Sequence, residues 1–319
     1  MRTLTRDNAE SLWYEALDVV RWGHTVAPRQ LTSIEISPMA LVLTDLNRNL
    51  ITNPYRKLNY AFAIAEVLWI WSGRKDLEFL RPYNKAMAKF SDDGETLSGA
   101  YGPPFTQQRS YILDKFSQDP NTRRAVLTIW RPSPGPSKDI PCTIMLHFLI
   151  RESRLNLIVY MRSNDLWLGF PYDLHTFTTI QKQLAAIMSV GCGTYTHITG
   201  SMHLYSDDWP HVNWAMKYPG SMDVVLPEML PGDLDDLVHA ERDLKDLGPC
   251  FNKFTDDSWF GMHVNLLSAY WAKKGGVKGF KFPEPYNILR ERSREVRAKV
   301  GGSVNARKIR GDEGGTPKC

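Results

Sequence analysis

The sequence predicts an α+β fold built on one large mixed or antiparallel sheet packed with helices, and three observations carry that expectation. Residues 144–150 (IMLHFLI) and 155–161 (LNLIVYM) are apolar stretches that flank the polar Arg151-Glu152-Ser153-Arg154, which reads as a β-hairpin. Apolar positions recur at helical spacing through residues 8–21, 57–72, 172–190 and 257–272. Further β-branched and apolar segments lie at 33–44, 125–130 and 195–205 with turn residues between several of them. A hairpin at the centre favours this class over a doubly wound parallel sheet.

Taken in order, the chain opens on MRTLTRDNAESLWYEALDVVRW, which mixes acids and bases through an amphipathic helical pattern. No positive segment precedes an apolar one, so no export signal is read and a cytoplasmic location is expected. The strand at 33–44 is followed by the helix RKLNYAFAIAEVLWIW, where Glu66 interrupts an apolar run. RPYNKAMAKFSDDG (81–94) precedes Tyr101-Gly102. The segment 131–141, RPSPGPSKDIP, holds four prolines and must be an irregular surface loop leading into Cys142. After the hairpin and the helix at 172–190, Gly191-Cys192-Gly193 is taken as a helix end. It lacks the third glycine and preceding strand of a dinucleotide fingerprint, and no Walker A sequence occurs. Residues 1–283 are read as a single catalytic domain and 284–319 as a basic C-terminal helix with a disordered tail.

Composition narrows the classes. Hydrophobic residues make 43% and charged residues 23% of 319, and no apolar run approaches the roughly 20 residues that span a bilayer, so no membrane partner is expected. The four cysteines form no Cys-x-x-Cys pair; free thiols and no metal are expected. From Trp271 onward thirteen Lys/Arg stand against five Asp/Glu, within a net charge of +4. Such a tail can touch nucleic acid, although a solvated end is the commoner outcome.

Cys142 has two readings. A lone cysteine is ordinarily a small buried apolar residue. Yet this one follows a Pro-rich loop and starts a strand, with Arg123-Arg124 upstream and Arg162 downstream, and cationic neighbours favour the thiolate that attacks carbon. The arginines abut apolar strands, where an anionic partner is a natural solution and guanidinium forks suit phosphate.

Pro141-Cys142, Arg162-Ser163-x-Asp165, Leu168-Gly169-x-Pro171 and His203-Leu204-Tyr205-Ser206, in this order and at these spacings, resemble the thymidylate synthase family. The likeness extends upstream to Arg123-Arg124 with Trp130, to Tyr101-Gly102, to Glu66 and, more loosely, to Arg29, covering roughly residues 25–207. It implies a homodimer formed through the sheet, acting on a pyrimidine nucleoside monophosphate with 5,10-methylenetetrahydrofolate. By the same resemblance Cys142 adds to C6 of the ring and activates C5. Arg29, Arg162 and Ser163 hold the 5′-phosphate, with Arg123 and Arg124 reaching from the partner subunit. His203 and Tyr205 read the 3′-hydroxyl, Asp165 meets the folate pterin, Glu66 organises water and proton transfers, and Tyr101 assists loss of the C5 proton.

The departures from the family pattern redirect the expectation. Asp173 stands where the family carries Asn, and a carboxylate accepting from the amino group and a protonated N3 fits cytosine better than uracil. The resemblance implies a helix at 81–94, before Tyr101-Gly102, that carries shielding tryptophans in methyl-forming members; their absence here and the different carboxyl end suggest a site open to water, hence a hydroxymethyl product rather than a methyl one. Thr143, Met161 and Ser201 replace the family's usual His, Gln and Asp. The expectation is a cytidylate hydroxymethylase acting on dCMP, with CMP the near alternative. A C5 methylase of dCMP or dUMP is a rival, and so is a nucleic-acid-binding protein that works through its tail.

Overall fold

A computed structural model describes residues 1–132, 135–220, 223–248 and 257–301. The elements in chain order are β1 (Arg2–Arg6), α1 (Ala9–Val20), β2 (His24–Val26), β3 (Ser33–Ile36), β4 (Met39–Leu43), α2 (Tyr60–Trp71), α3 (Leu77–Leu80) and α4 (Gly102–Gln118). They continue with β5 (Val126–Thr128), β6 (Thr143–Arg151), β7 (Arg154–Met161), β8 (Asn164–Asp165), α5 (Phe170–Ile187), β9 (Gly191–Thr199), β10 (Met202–Tyr205), α6 (Trp209–Lys217), α7 (Asp233–Leu247), α8 (Trp259–Lys274) and α9 (Tyr286–Gly301).

Two sheets form. The larger has the order β1-β4-β9-β7-β6-β5 and is mixed, β1 with β4 and β7 with β9 being parallel. Period-two alternation sorts its residues: on β7, Leu155, Leu157, Val159 and Met161 are buried while Asn156, Ile158 and Tyr160 are half-buried on the other face. α5 packs on the buried side. The smaller sheet, β2-β3-β10-β8, carries the polar residues of interest, with His203 opposite both Glu35 and Asp165.

The stretches 33–44 and 195–205, each read as one strand, are two strands apiece. The first is broken at Ser37-Pro38 and the second at Gly200-Ser201, and in both the chain leaves one sheet for the other. The two breaks thus connect the central pair of the small sheet, β3 and β10, to the adjacent strands β4 and β9 of the large one. Two other readings are corrected. Gly191-Cys192-Gly193 begins β9 instead of ending a helix, because a Cβ at Gly193 would meet Asn156 Oδ1 at 2.5 Å and the chain must pass close to β7. Residues 81–94 hold only a short 3₁₀ turn, Lys85–Lys89, capped by Asn84. α4 escaped the periodicity because it is polar, with two prolines in its first turn, where the ring is tolerated.

α2 is buried along its length except at Glu66, and Asn59 caps it by accepting from Phe62 N–H at 3.1 Å. α9 is packed rather than solvated: Tyr286, Leu289 and Val300 are buried. Tyr286 Oη also pairs with His263 Nε2 at 2.9 Å. Residues 302–319, Cys250 and Cys319 lie outside the described residues, while Cys142 and Cys192 are in no disulfide.

Candidate active site

Cys142 sits just before β6, buried, where the Pro-rich loop ends. Arg162, at the matching end of β7, fixes that loop: its Nε donates to Pro141 O at 3.0 Å and its Nη2 to Ile140 O at 2.9 Å, while its backbone N–H donates to Cys142 O at 2.9 Å. One guanidinium therefore locks the approach to the sulfur.

The segment from Met161 to Asp165 lines two cavities. Arg162 and Ser163 face one of about 630 Å³, shared with Arg29, Glu35, Trp130, His203 and Tyr205. In it Ser163 Oγ lies 3.5 Å from His203 Nδ1, and His203 Nε2 is a buried atom with no hydrogen-bond partner. Burial pushes the His203 pKa down, so the ring is neutral and its orphan nitrogen is available to a ligand hydroxyl. Ser201 Oγ donates to Glu35 Oε2 across the same wall.

The second cavity is a slot of about 90 Å³ holding Cys142, Glu66, Tyr101, Asp165 and Asp173 together with Asp139, Tyr172 and Asn164. Asp165 Oδ1 accepts from Trp167 and Leu168 N–H at 2.8 and 3.0 Å, a turn that presents the rest of the carboxylate to the slot. Tyr101 Oη accepts from Thr143 N–H at 3.4 Å. Glu66 and Asp173 are half-buried at the slot wall. Desolvation, and for Glu66 also the neighbouring Asp173, raise their pKa values to about 8 and about 7. Asn164 Nδ2 donates to Asp173 Oδ2 at 2.6 Å. Met87 and Phe90 from the 81–94 segment and Trp69 from α2 also line the slot, so apolar cover is present although that segment lacks tryptophan.

Arg123 and Arg124 are not brought to either cavity. Both are exposed on the approach to β5, and their carbonyls are engaged with His147 Nε2 and Tyr111 Oη. Sequence reasoning did not single out Asn164, Asp139 or Tyr172; Asn164 belongs to the polar run 162–165 and Asp139 to the loop leading into Cys142, the one available signal. Among the described residues no group of three His, Cys, Asp or Glu could hold a metal ion, and no helix is long and apolar enough to cross a membrane.

Beyond Tyr172 lies a third cavity, of about 420 Å³. Six cations line it, Arg56, Lys57, Lys273, Arg290, Arg294 and Arg297, and no Asp or Glu does. Three of the four arginines of α9, Arg290, Arg294 and Arg297, therefore border this cavity.

The thymidylate synthase family matches residues 17–225, somewhat more than the motif-based span. The chain belongs to the thymidylate synthase family. It is 36% identical over 231 residues to the deoxyuridylate hydroxymethyltransferase of Bacillus phage SP01, a stretch taking in 66% of this chain and 60% of that protein. It is 30% identical over 190 residues to the deoxyuridylate hydroxymethyltransferase of Pseudomonas phage M6, covering 56% and 52%. A thymidylate synthase from Symbiobacterium thermophilum is 28% identical over 173 residues, covering 47% and 60%. The chain thus spans three fifths or less of the length of these relatives. α7, α8 and α9 fall outside the family match.

Proposed function

We propose that this chain transfers the one-carbon unit of methylenetetrahydrofolate to C5 of a pyrimidine deoxynucleotide, where tetrahydrofolate leaves and water adds to the resulting exocyclic methylene to give a 5-hydroxymethyl product, with dCMP as the substrate. Carbon 5 is too weak a nucleophile by itself. Addition of the Cys142 thiolate to C6 makes C5 enamine-like, and methylenetetrahydrofolate supplies a carbon at the level of formaldehyde. The wide cavity suits a sugar phosphate, with Arg29, Arg162 and Ser163 toward the phosphate and the orphan Nε2 of His203, beside Tyr205, toward the 3′-hydroxyl. Arg123 and Arg124, exposed in the single chain, complete the phosphate site of a partner subunit in a homodimer. In the slot Asp165 meets the pterin, Tyr101 assists loss of the C5 proton, and Glu66, kept protonated up to about pH 8, can hand on a proton at neutral pH. The cationic cavity past Tyr172 suits the anionic end of a folate.

The observation that carries the base assignment is Asp173 in the same slot as Cys142. A carboxyl group sharing one proton with cytosine N3 and accepting from the amino group matches that edge. The names of the phage relatives favour a second reading, in which the substrate is deoxyuridylate. With a pKa of about 7 a protonated Asp173 can imitate the donor and acceptor of an amide. Incubation with dCMP, CMP or dUMP plus methylenetetrahydrofolate, followed by mass analysis, separates the readings. The expected product is dCMP plus CH₂O; gain of CH₂ would make the chain a methylase, and preference for dUMP would overturn the base assignment. Cys142→Ala is expected to abolish both turnover and release of tritium from C5.

A further inference from the structure

Asn164 is fixed at the head of β8, where its backbone N–H donates to Ser201 O at 2.9 Å and it stands opposite Met202 in a parallel pair. Its side chain is buried. Nδ2 lies 2.6 Å from Asp173 Oδ2 and 3.6 Å from Met161 Sδ, and Oδ1 is buried with no hydrogen-bond partner. Burying an amide with half its capacity unused is costly, so the one strong bond it makes to Asp173 calls for a reason beyond packing.

A protonated carboxyl is by itself symmetric, since either oxygen can carry the proton. A donor held on Oδ2 breaks that symmetry: Oδ2 must remain an acceptor, with a lone pair still free, and the acid proton is confined to Oδ1. The edge shown to a ligand then has a fixed order of acceptor and donor. Cytosine presents a donor at N4 and an acceptor at N3, whereas uracil presents an acceptor at O4 and a donor at N3. A symmetric acid pairs with both by moving its proton; a polarised one pairs with a single base. Burial holds the Asp173 pKa near 7, so the protonated form is populated at neutral pH.

We propose that Asn164 locks the donor and acceptor order of Asp173 and is thereby a second determinant of which pyrimidine the site accepts. This rests on the proposal above that Asp173 faces the base edge, and not on which base is preferred. Asn164 is a positioning residue that acts through Asp173.

The test compares kcat/KM for dCMP and dUMP, with methylenetetrahydrofolate, in the unaltered protein, in Asn164→Ala and in Asn164→Leu, each also combined with Asp173→Asn. Leucine fills the amide's volume and lacks its donor. The preference ratio is expected to move toward unity by about tenfold or more in both Asn164 variants. It is expected to change by less than about twofold where Asp173→Asn is present, because an amide carries its own fixed order. Should Asn164→Ala fail to fold, Asn164→Leu carries the kinetic comparison, and equilibrium binding of the two nucleotides to it is expected to shift in the same direction. Equal loss toward both bases overturns the proposal, as does a ratio indifferent to Asp173→Asn. A simple preference of the unaltered protein for dUMP removes the cytidylate reading alone and leaves the lock to be seen in the ratio.

Discussion

Glu66 is the one residue of α2 that is not buried, and its carboxyl is kept neutral by desolvation and by the neighbouring Asp173. The folded pKa of about 8 lies above the model-peptide value of 4.5, so its contribution to stability is full below about pH 4.5 and is lost as pH rises through about 8. Asp173 adds the same sign over a window from 3.8 to about 7. Glu66→Gln is therefore expected to raise the thermal midpoint at about pH 9 and to leave it nearly unchanged at about pH 5, while impairing turnover; a scan at the two pH values checks it. The motif residues Cys142, Arg162, Asp165 and His203 were legible in the chain because their order and spacing are specific. Asn164 was not, since nothing in a linear polar run says that its amide would reach a carboxyl nine residues on.

Among the elements, the hairpin joining β6 to β7 was plain from two apolar runs and four polar residues. Its turn was not. Glu152 and Ser153 both adopt positive φ, 51° and 55°, a pair that Asn-Gly accepts at lower cost. Glu152→Asn with Ser153→Gly is expected to stabilise the fold by about 1 kcal/mol in urea denaturation. α9 teaches the opposite lesson. Its charge suggested a solvated or nucleic-acid-binding end, yet Tyr286 pairs with the buried His263, which also pairs with Trp259 O at 2.7 Å. Tyr286→Phe leaves His263 Nε2 buried and unpaired, at an expected cost of ~1–3 kcal/mol by the same measurement. Local charge cannot reveal that an apolar stripe on the same helix has a body to pack against.

The whole molecule presents the half-buried face of its large sheet and, at one end, the exposed Arg123 and Arg124. If each active site borrows these two arginines from the other subunit, a mixture of Cys142→Ala with Arg123→Ala/Arg124→Ala protein contains heterodimers with one intact site. Two inactive preparations are then expected to recover up to about a quarter of the unaltered activity after exchange. Recovery of none, with dimers present by sedimentation, removes the shared site.

By itself the sequence determined the fold class and family and singled out five residues, Cys142, Glu66, Tyr101, Asp165 and Asp173, that the fold brings to one slot, because hydrophobic period and spaced motifs are local properties of a chain. The tertiary structure alone decided which polar groups lost their water. Glu66 and Asp173 acquire raised pKa values, His203 an orphan nitrogen and Asn164 a carboxyl partner only once two sheets exchange strands and close a low-dielectric slot around them.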